Sequence, residues 1–245
     1  MARNLARRTV IGALGAAALA VLALGDPQRA ESYRLPAPAG HSPWPLVDWE
    51  ALKAVNPDII GWVSIPETEV SQPVLAARAA DGQFYLSHDW EGLPSPAGAI
   101  TLDGECGSDL FAENGVSIAC LYGHHMADGS MFAPIASYSS GAWAEAHRTL
   151  HLQAPGRVVE YRFCFAEIVP GTQRAKRCRF ESARQYRHWV EQRMDRAAVT
   201  CINAIPSRLL MLCTCSYTTY ADERTLAYFE PIRAPAGPFP GSRRP

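Results

Sequence analysis

Beyond its N-terminal stretch, the chain sets its apolar residues in short runs. Many are β-branched or alternate with polar positions, and clusters of Pro, Gly, Asn and Asp separate them. This pattern predicts strands. Residues 59–65 (IIGWVSI), 70–75, 98–102 (GAITL), 116–122 (VSIACLY), 149–152, 158–169, 208–214 (RLLMLCT) and 225–232 each fit one. Pro73 interrupts the second, which predicts an edge position or a neighbouring bulge. Ala154-Pro155-Gly156 is the expected turn between the 149–152 and 158–169 strands. Helical spacing is rarer. Tyr186, Trp189, Val190 and Met194 share one face of a helix over 182–196, with Ser182 as cap. Asp48 can cap a shorter helix ending near Val55, and residues 81–90 and 130–138 suggest helical turns. Many short strands and few helices predict a mainly β domain, a barrel or sandwich with helical insertions.

The N-terminus reads differently. Arg3, Arg7 and Arg8 precede an uncharged run from Val10 to Gly25, which Asp26-Pro27 ends. A basic head followed by an apolar run is an export signal. The run is slightly short of the ~20 residues of a spanning helix, and Thr9 can extend it. No clean small-residue cleavage site follows. The expectation is therefore an uncleaved signal anchor over residues 1–30, arginines inside, with a peptide cleaved near Ala30 as the alternative; the anchored form is a single-pass protein of the cell membrane whose main domain is extracytoplasmic. A Pro/Ala/Gly/Ser-rich tether over 31–45 then leads to one domain over 46–233, and a Pro/Gly-rich flexible tail fills 234–245.

Composition narrows the partners. The formal net charge is −1, and residues 1–30 hold +3 of it, so the remainder is about −4. A body without a basic field is a poor nucleic-acid partner. The seven cysteines are an odd number, so at least one thiol stays free within a single chain. No C-x-x-C or Cys/His cluster has zinc-site spacing, so the expected metal ligands are none and the expected cofactors none. Cys213 and Cys215 lie two apart. On a strand their Cα atoms are ~6.6 Å apart, near the limit for a disulfide, and no pairing is expected.

Two strand ends carry chemistry. One is Tyr122-Gly123-His124-His125-Met126, and the other is Leu212-Cys213-Thr214-Cys215. Arg224 follows at the start of the next strand, and a hairpin would bring it beside Cys215. A thiolate is a strong nucleophile toward a peptide carbonyl. A nearby imidazolium favours the thiolate and later protonates the leaving amine. The oxyanion formed on the way needs a fixed donor, which an arginine can be. Each residue taken alone is better read as core, turn or solvated charge; the order of all three is what points to catalysis.

That ordered set resembles the class B sortases. Tyr122-Gly123-His124-x-Met126 followed by Asp128-Gly129-Ser130-Met131-Phe132 resembles their histidine segment, and Leu212-Cys213-Thr214-Cys215 resembles their Leu-x-Thr-Cys signature. Arg224 falls where their arginine falls. Asn56-Pro57-Asp58-Ile59-Ile60-Gly61-Trp62, Pro73-Val74 and Tyr85-Leu86-Ser87-His88-Asp89 also fit the family. The resemblance covers roughly residues 49–232. It implies a closed eight-stranded sortase-type β-barrel with an N-terminal helix and an inserted helix before the cysteine strand. It also implies a cysteine transpeptidase with Cys215 as nucleophile, His124 as acid/base and Arg224 as transition-state cation. On the same resemblance Thr214, Leu86 and Ser87 are expected at the substrate site, Thr214 as a supporting residue and Leu86-Ser87 along the peptide groove. The implied partners are exported proteins bearing a C-terminal sorting signal and an amine of peptidoglycan precursor or a pilin lysine. His125, standing where Asn or similar is expected, is a rival to His124; Asp222 and Glu223 are candidates to orient the histidine. A cysteine peptidase or hydrolase with the same Cys-His-Arg set and a membrane-anchored extracellular binding domain are the other readings.

Overall fold

The computed structural model describes residues 27–35, 46–113, 116–171, 176–216 and 222–232. The apolar run over 10–25 and the tail from 234 lie outside them. No helix among the described residues is long and apolar enough to cross a membrane.

Eight strands close a barrel. They are β1 (Ile59–Ser64), β2 (Ser71–Ala76), β3 (Ile100–Leu102), β4 (Ile118–Tyr122), β5 (Thr149–Ala154), β6 (Arg157–Pro170), β7 (Leu209–Ser216) and β8 (Glu223–Pro231). Around the ring, β1 pairs antiparallel with β2, β2 parallel with β3, and β3 antiparallel with β4. Strand β4 pairs parallel with β7, and β7 antiparallel with β8. The ring closes through β8–β6, β6–β5 and β5–β1, all antiparallel. The fourteen-residue β6 makes this possible, because its first half pairs with β5 and its second half with β8. Closure leaves no free sheet edge between these strands.

Local chemistry sets the connections as expected. The Asp48 carboxylate caps the helix Trp49–Val55 by accepting from the Ala51 N–H. Ser182 does the same for the helix Ala183–Met194 through Gln185. Pro73 faces Trp62 of β1, next to a register shift at Ile59/Gly61. Pairing of β2 with β3 begins only at Val74, so no hydrogen bond is asked of the proline on that side. A short helix over Gly141–Ala146 has no strong apolar stripe and was not expected.

The main core fills the barrel with Leu121, Phe163, Phe165, Leu212, Phe229 and their neighbours. A smaller core lies outside it, where Leu52, Ile59, Trp62, Leu75, Tyr85 and Trp90 pack together. The chain joins this second core early. Residues Pro27–Glu31 form one helical turn, Ala30 is fully buried, and Arg34-Leu35 pairs with Leu46-Val47. Arg34 also donates to Ser71 Oγ (2.8 Å) and lies over the Trp62 ring. The first residues of the expected tether thus touch the domain.

Candidate active site

The parallel β4–β7 pair and the antiparallel β7–β8 pair meet at one end of the barrel. Cys213 is in register with Tyr122, so His124 and Cys215 each lie two residues beyond a matched pair on adjacent strands. Cys215 is directly opposite Arg224. A cleft of about 650 Å³ opens there, and its walls include Leu86, Tyr122, His124, Thr214, Cys215 and Arg224. The side chain of Cys215 is half-buried. Cys213 is 4% exposed, and burial pushes its thiol up to about 12, so it stays protonated at ordinary pH. Position, not chemistry, separates the two sulfurs.

The histidine segment is tied to the cysteine strand at three points. The Gly123 N–H donates to the Cys213 carbonyl (3.2 Å), and the Thr214 hydroxyl donates to the Gly123 carbonyl (2.9 Å). The His125 ring reaches the Cys215 carbonyl through Nδ1 (2.8 Å). Thr214 is buried, so its part is to hold the two strands together. His125 meets the backbone of the cysteine, whereas His124 lines the cleft with the sulfur. His124 Nε2 donates to the Leu86 carbonyl (2.8 Å), which fixes the ring. No hydrogen bond joins His124 to Cys215 directly; both line the same cleft.

Leu86 belongs to a 3₁₀ turn, Phe84–Leu86, built on the second core. The Tyr85 hydroxyl anchors that turn. It donates to Asp58 (2.6 Å) and accepts from Asn56 Nδ2 (2.9 Å), while Arg78 pairs with Asp58 (2.7 Å). The Asn56-Pro57-Asp58 turn therefore positions the residue that holds the histidine. Gly98 lets the turn approach. Its φ is +58°, and a Cβ there would lie 2.6 Å from the Tyr85 carbonyl and 3.0 Å from the His124 ring. Leu86 is 44% exposed and presents apolar surface to the cleft. Ser87 does not line it. One step further round the turn, its hydroxyl lies 3.2 Å from His88 Nδ1.

Arg224 is part-exposed and pairs with Asp222 (3.4 Å). Both lie against the backbone of Gly171, where a side chain would collide with them. Asp222 thus positions the arginine, and Glu223 is fully buried. Arg208 sits at the far end of β7, paired with Glu113 (3.1 Å). The remaining cleft wall was not foreseen. Tyr122, Asp103, Glu105 and Lys176 line it, and Lys176 forms ion pairs with both carboxylates. Gly98 and Gly171 carried no local motif, and only the folded approach of other segments reveals their use.

Comparison with known proteins agrees with this geometry. Over 103 residues the chain is 32% identical to sortase B of Listeria monocytogenes, a match covering 42% of this chain and 39% of that protein. Over 169 residues it is 25% identical to sortase B of Staphylococcus aureus, covering 68% of this chain and 67% of the other. Among solved structures, the Staphylococcus aureus sortase B–substrate complex superposes with a TM-score of 0.66 at 22% identity, over 76% of this chain and 85% of that one. No protein-family model matches the chain.

Proposed function

The chain belongs to the class B sortases, and from that premise we propose that it is a cysteine transpeptidase acting on exported proteins. The observation that carries the reading is a single cleft lined by Cys215, His124 and Arg224. The Cys215 thiolate attacks the carbonyl carbon of a peptide bond in the sorting signal. The Arg224 guanidinium receives the oxyanion that forms. As the intermediate collapses, the C–N bond breaks, His124 gives its proton to the departing amine, and an acyl thioester remains on Cys215. An incoming amine loses its proton to His124, attacks the thioester, and the thiolate leaves.

Apolar Leu86 and the long open cleft suit an extended peptide. The substrate held in the Staphylococcus aureus complex supports a sorting-signal peptide for this cleft as well. The acceptor is an amine of peptidoglycan precursor or a pilin lysine. The membrane anchor over residues 1–30, with the barrel outside the cytoplasmic membrane, is part of the same proposal and rests on the basic head and apolar run. The test is to incubate the purified domain with a panel of sorting peptides and follow Cys215 by intact-mass spectrometry. An acyl adduct on Cys215 that an added amine discharges into a new amide supports the proposal. Discharge by water alone at the same rate, whatever the amine, would identify a hydrolase instead.

A further inference from the structure

Three cysteines far from one another in sequence bring their sulfurs together behind the cleft wall. Cys106 ends the 3₁₀ turn Gly104–Cys106, Cys120 is mid-β4, and Cys178 lies in the segment that runs beside the start of β4. All three are buried, and their Sγ atoms lie within 4.8 Å of one another. Cys120 Sγ and Cys178 Sγ are 3.6 Å apart. The backbone fixes the third sulfur: Cys106 Sγ accepts from the Cys120 N–H (3.4 Å) and donates to the Ile118 carbonyl (3.4 Å). A single core cysteine behaves as a small hydrophobe packed against carbon. Here three sulfurs pack against each other.

We propose that Cys106, Cys120 and Cys178 form a binding site for a thiophilic divalent ion, zinc, which pins the 176–180 segment to β4. Zinc–sulfur bonds of about 2.3 Å in tetrahedral geometry set sulfurs about 3.8 Å apart, so the Cys120–Cys178 spacing needs almost no adjustment. A cavity of about 310 Å³ borders Cys106 and Cys178, giving the ion an approach and a fourth ligand position for water. Binding exchanges three S–H protons for three Zn–S bonds and involves no electron transfer. The product, one divalent ion with three thiolates, carries a charge of −1. Arg179, donating to the Glu105 carbonyl (3.1 Å), and Lys176 stand beside it together with the Asp103 and Glu105 carboxylates that Lys176 pairs.

The segment so pinned matters to the cleft. The Phe180 N–H donates to the Val116 carbonyl and the Ile118 N–H to the Cys178 carbonyl, and Lys176, two residues before Cys178, is part of the cleft wall with Asp103 and Glu105. A zinc ion would therefore hold that wall in place from behind, without touching the catalytic residues.

The experiment uses Cys215→Ala protein, reduced and stripped of metal, so that the exposed thiol does not compete. Cobalt(II) is titrated first, then zinc. One equivalent of cobalt should produce thiolate-to-metal charge-transfer absorption, one equivalent of zinc should bleach it, and zinc should raise the melting temperature. Cys106→Ser and Cys178→Ser should lose the absorption. Should either variant misfold, alkylation mapping of the Cys215→Ala protein decides: zinc should protect Cys106, Cys120 and Cys178 together. Absence of the absorption, its persistence in both folded serine variants, or zinc protection confined to other cysteines would overturn the site. So would loss of two titratable thiols in protein isolated without reductant together with absence of the cobalt band after reduction, which identifies a disulfide pair.

Discussion

Two groups of sulfur lie around β4 and β7, and they differ in what surrounds them. Cys215 is half-buried at a strand end, in register with Arg224 and lining the same open cleft as His124. Cys106, Cys120 and Cys178 are buried with one another for company. Cys213, two residues from Cys215 on the same strand, belongs with the second kind: burial holds it as a thiol. Access and cationic surroundings, rather than sulfur alone, are what suit a cysteine to nucleophilic attack. The margin is narrow, since two positions along one strand separate the two environments.

The comparison can be broken at its strongest point first. Cys215→Ala should abolish thioester formation and acyl transfer with the fold intact, while Cys213→Ala should stay within a few-fold of wild type. Intact-mass trapping and circular dichroism on both variants check this, and the reverse ranking would move the nucleophile. His124→Ala should cost at least the ~10²–10⁴-fold typical of a lost general acid–base. His125→Ala should cost far less, because that ring meets the Cys215 carbonyl rather than the cleft. Steady-state kcat/KM decides between them. Arg224→Ala should lower kcat/KM by ~10²–10³, with partial recovery in Arg224→Lys, as a lysine keeps the charge but not the planar fork. Arg208→Ala should be near wild type, since its partner is Glu113.

Access also separates the histidines, and pH sharpens that contrast. His151 on β5 is almost fully buried. Burial, and then the charge of Arg34, hold its pKa at about 4, against 6.5 in an unfolded chain. The depressed value means the unfolded state binds the proton first. The contribution of neutral His151 is therefore complete above pH 6.5 and is lost as pH falls toward 4, a change on the order of 3 kcal/mol. Denaturant melts between pH 7 and 4 should show this acid limb, and His151→Gln should flatten it. The smallest effect expected concerns the N-terminal contacts. A chain starting at residue 27 should be more stable than one starting at residue 36 by about 1–3 kcal/mol, because Ala30 and Arg34 pack on the second core. Activity should differ little between them, and thermal melts paired with the trapping assay test both statements.

Much of the barrel was legible because its strands are short apolar runs with clear breaks, as in VSIACLY and RLLMLCT. The caps Asp48 and Ser182 were legible because a side-chain acceptor ahead of a helix is a local signal. Cys215, His124 and Arg224 stood out through their order. What local pattern does not record is closure. Nothing near residue 161 announces that β6 changes partners there, and nothing near Cys106 or Cys120 announces Cys178.

The contacts that join the histidine and cysteine strands also bear on when the cleft is completed. Thr214 bonds to Gly123 across 91 residues of sequence, and His125 to Cys215 across 90. Those bonds form only when a long intervening chain, including β5, β6 and the helix Ala183–Met194, has been brought round, and such non-local pairing is slow. A chain in which these strands have not yet met therefore holds Cys215 and His124 apart. Recovery of thioester formation after dilution from denaturant should lag the return of secondary structure, so that the enzyme's own activity times the completion of its barrel.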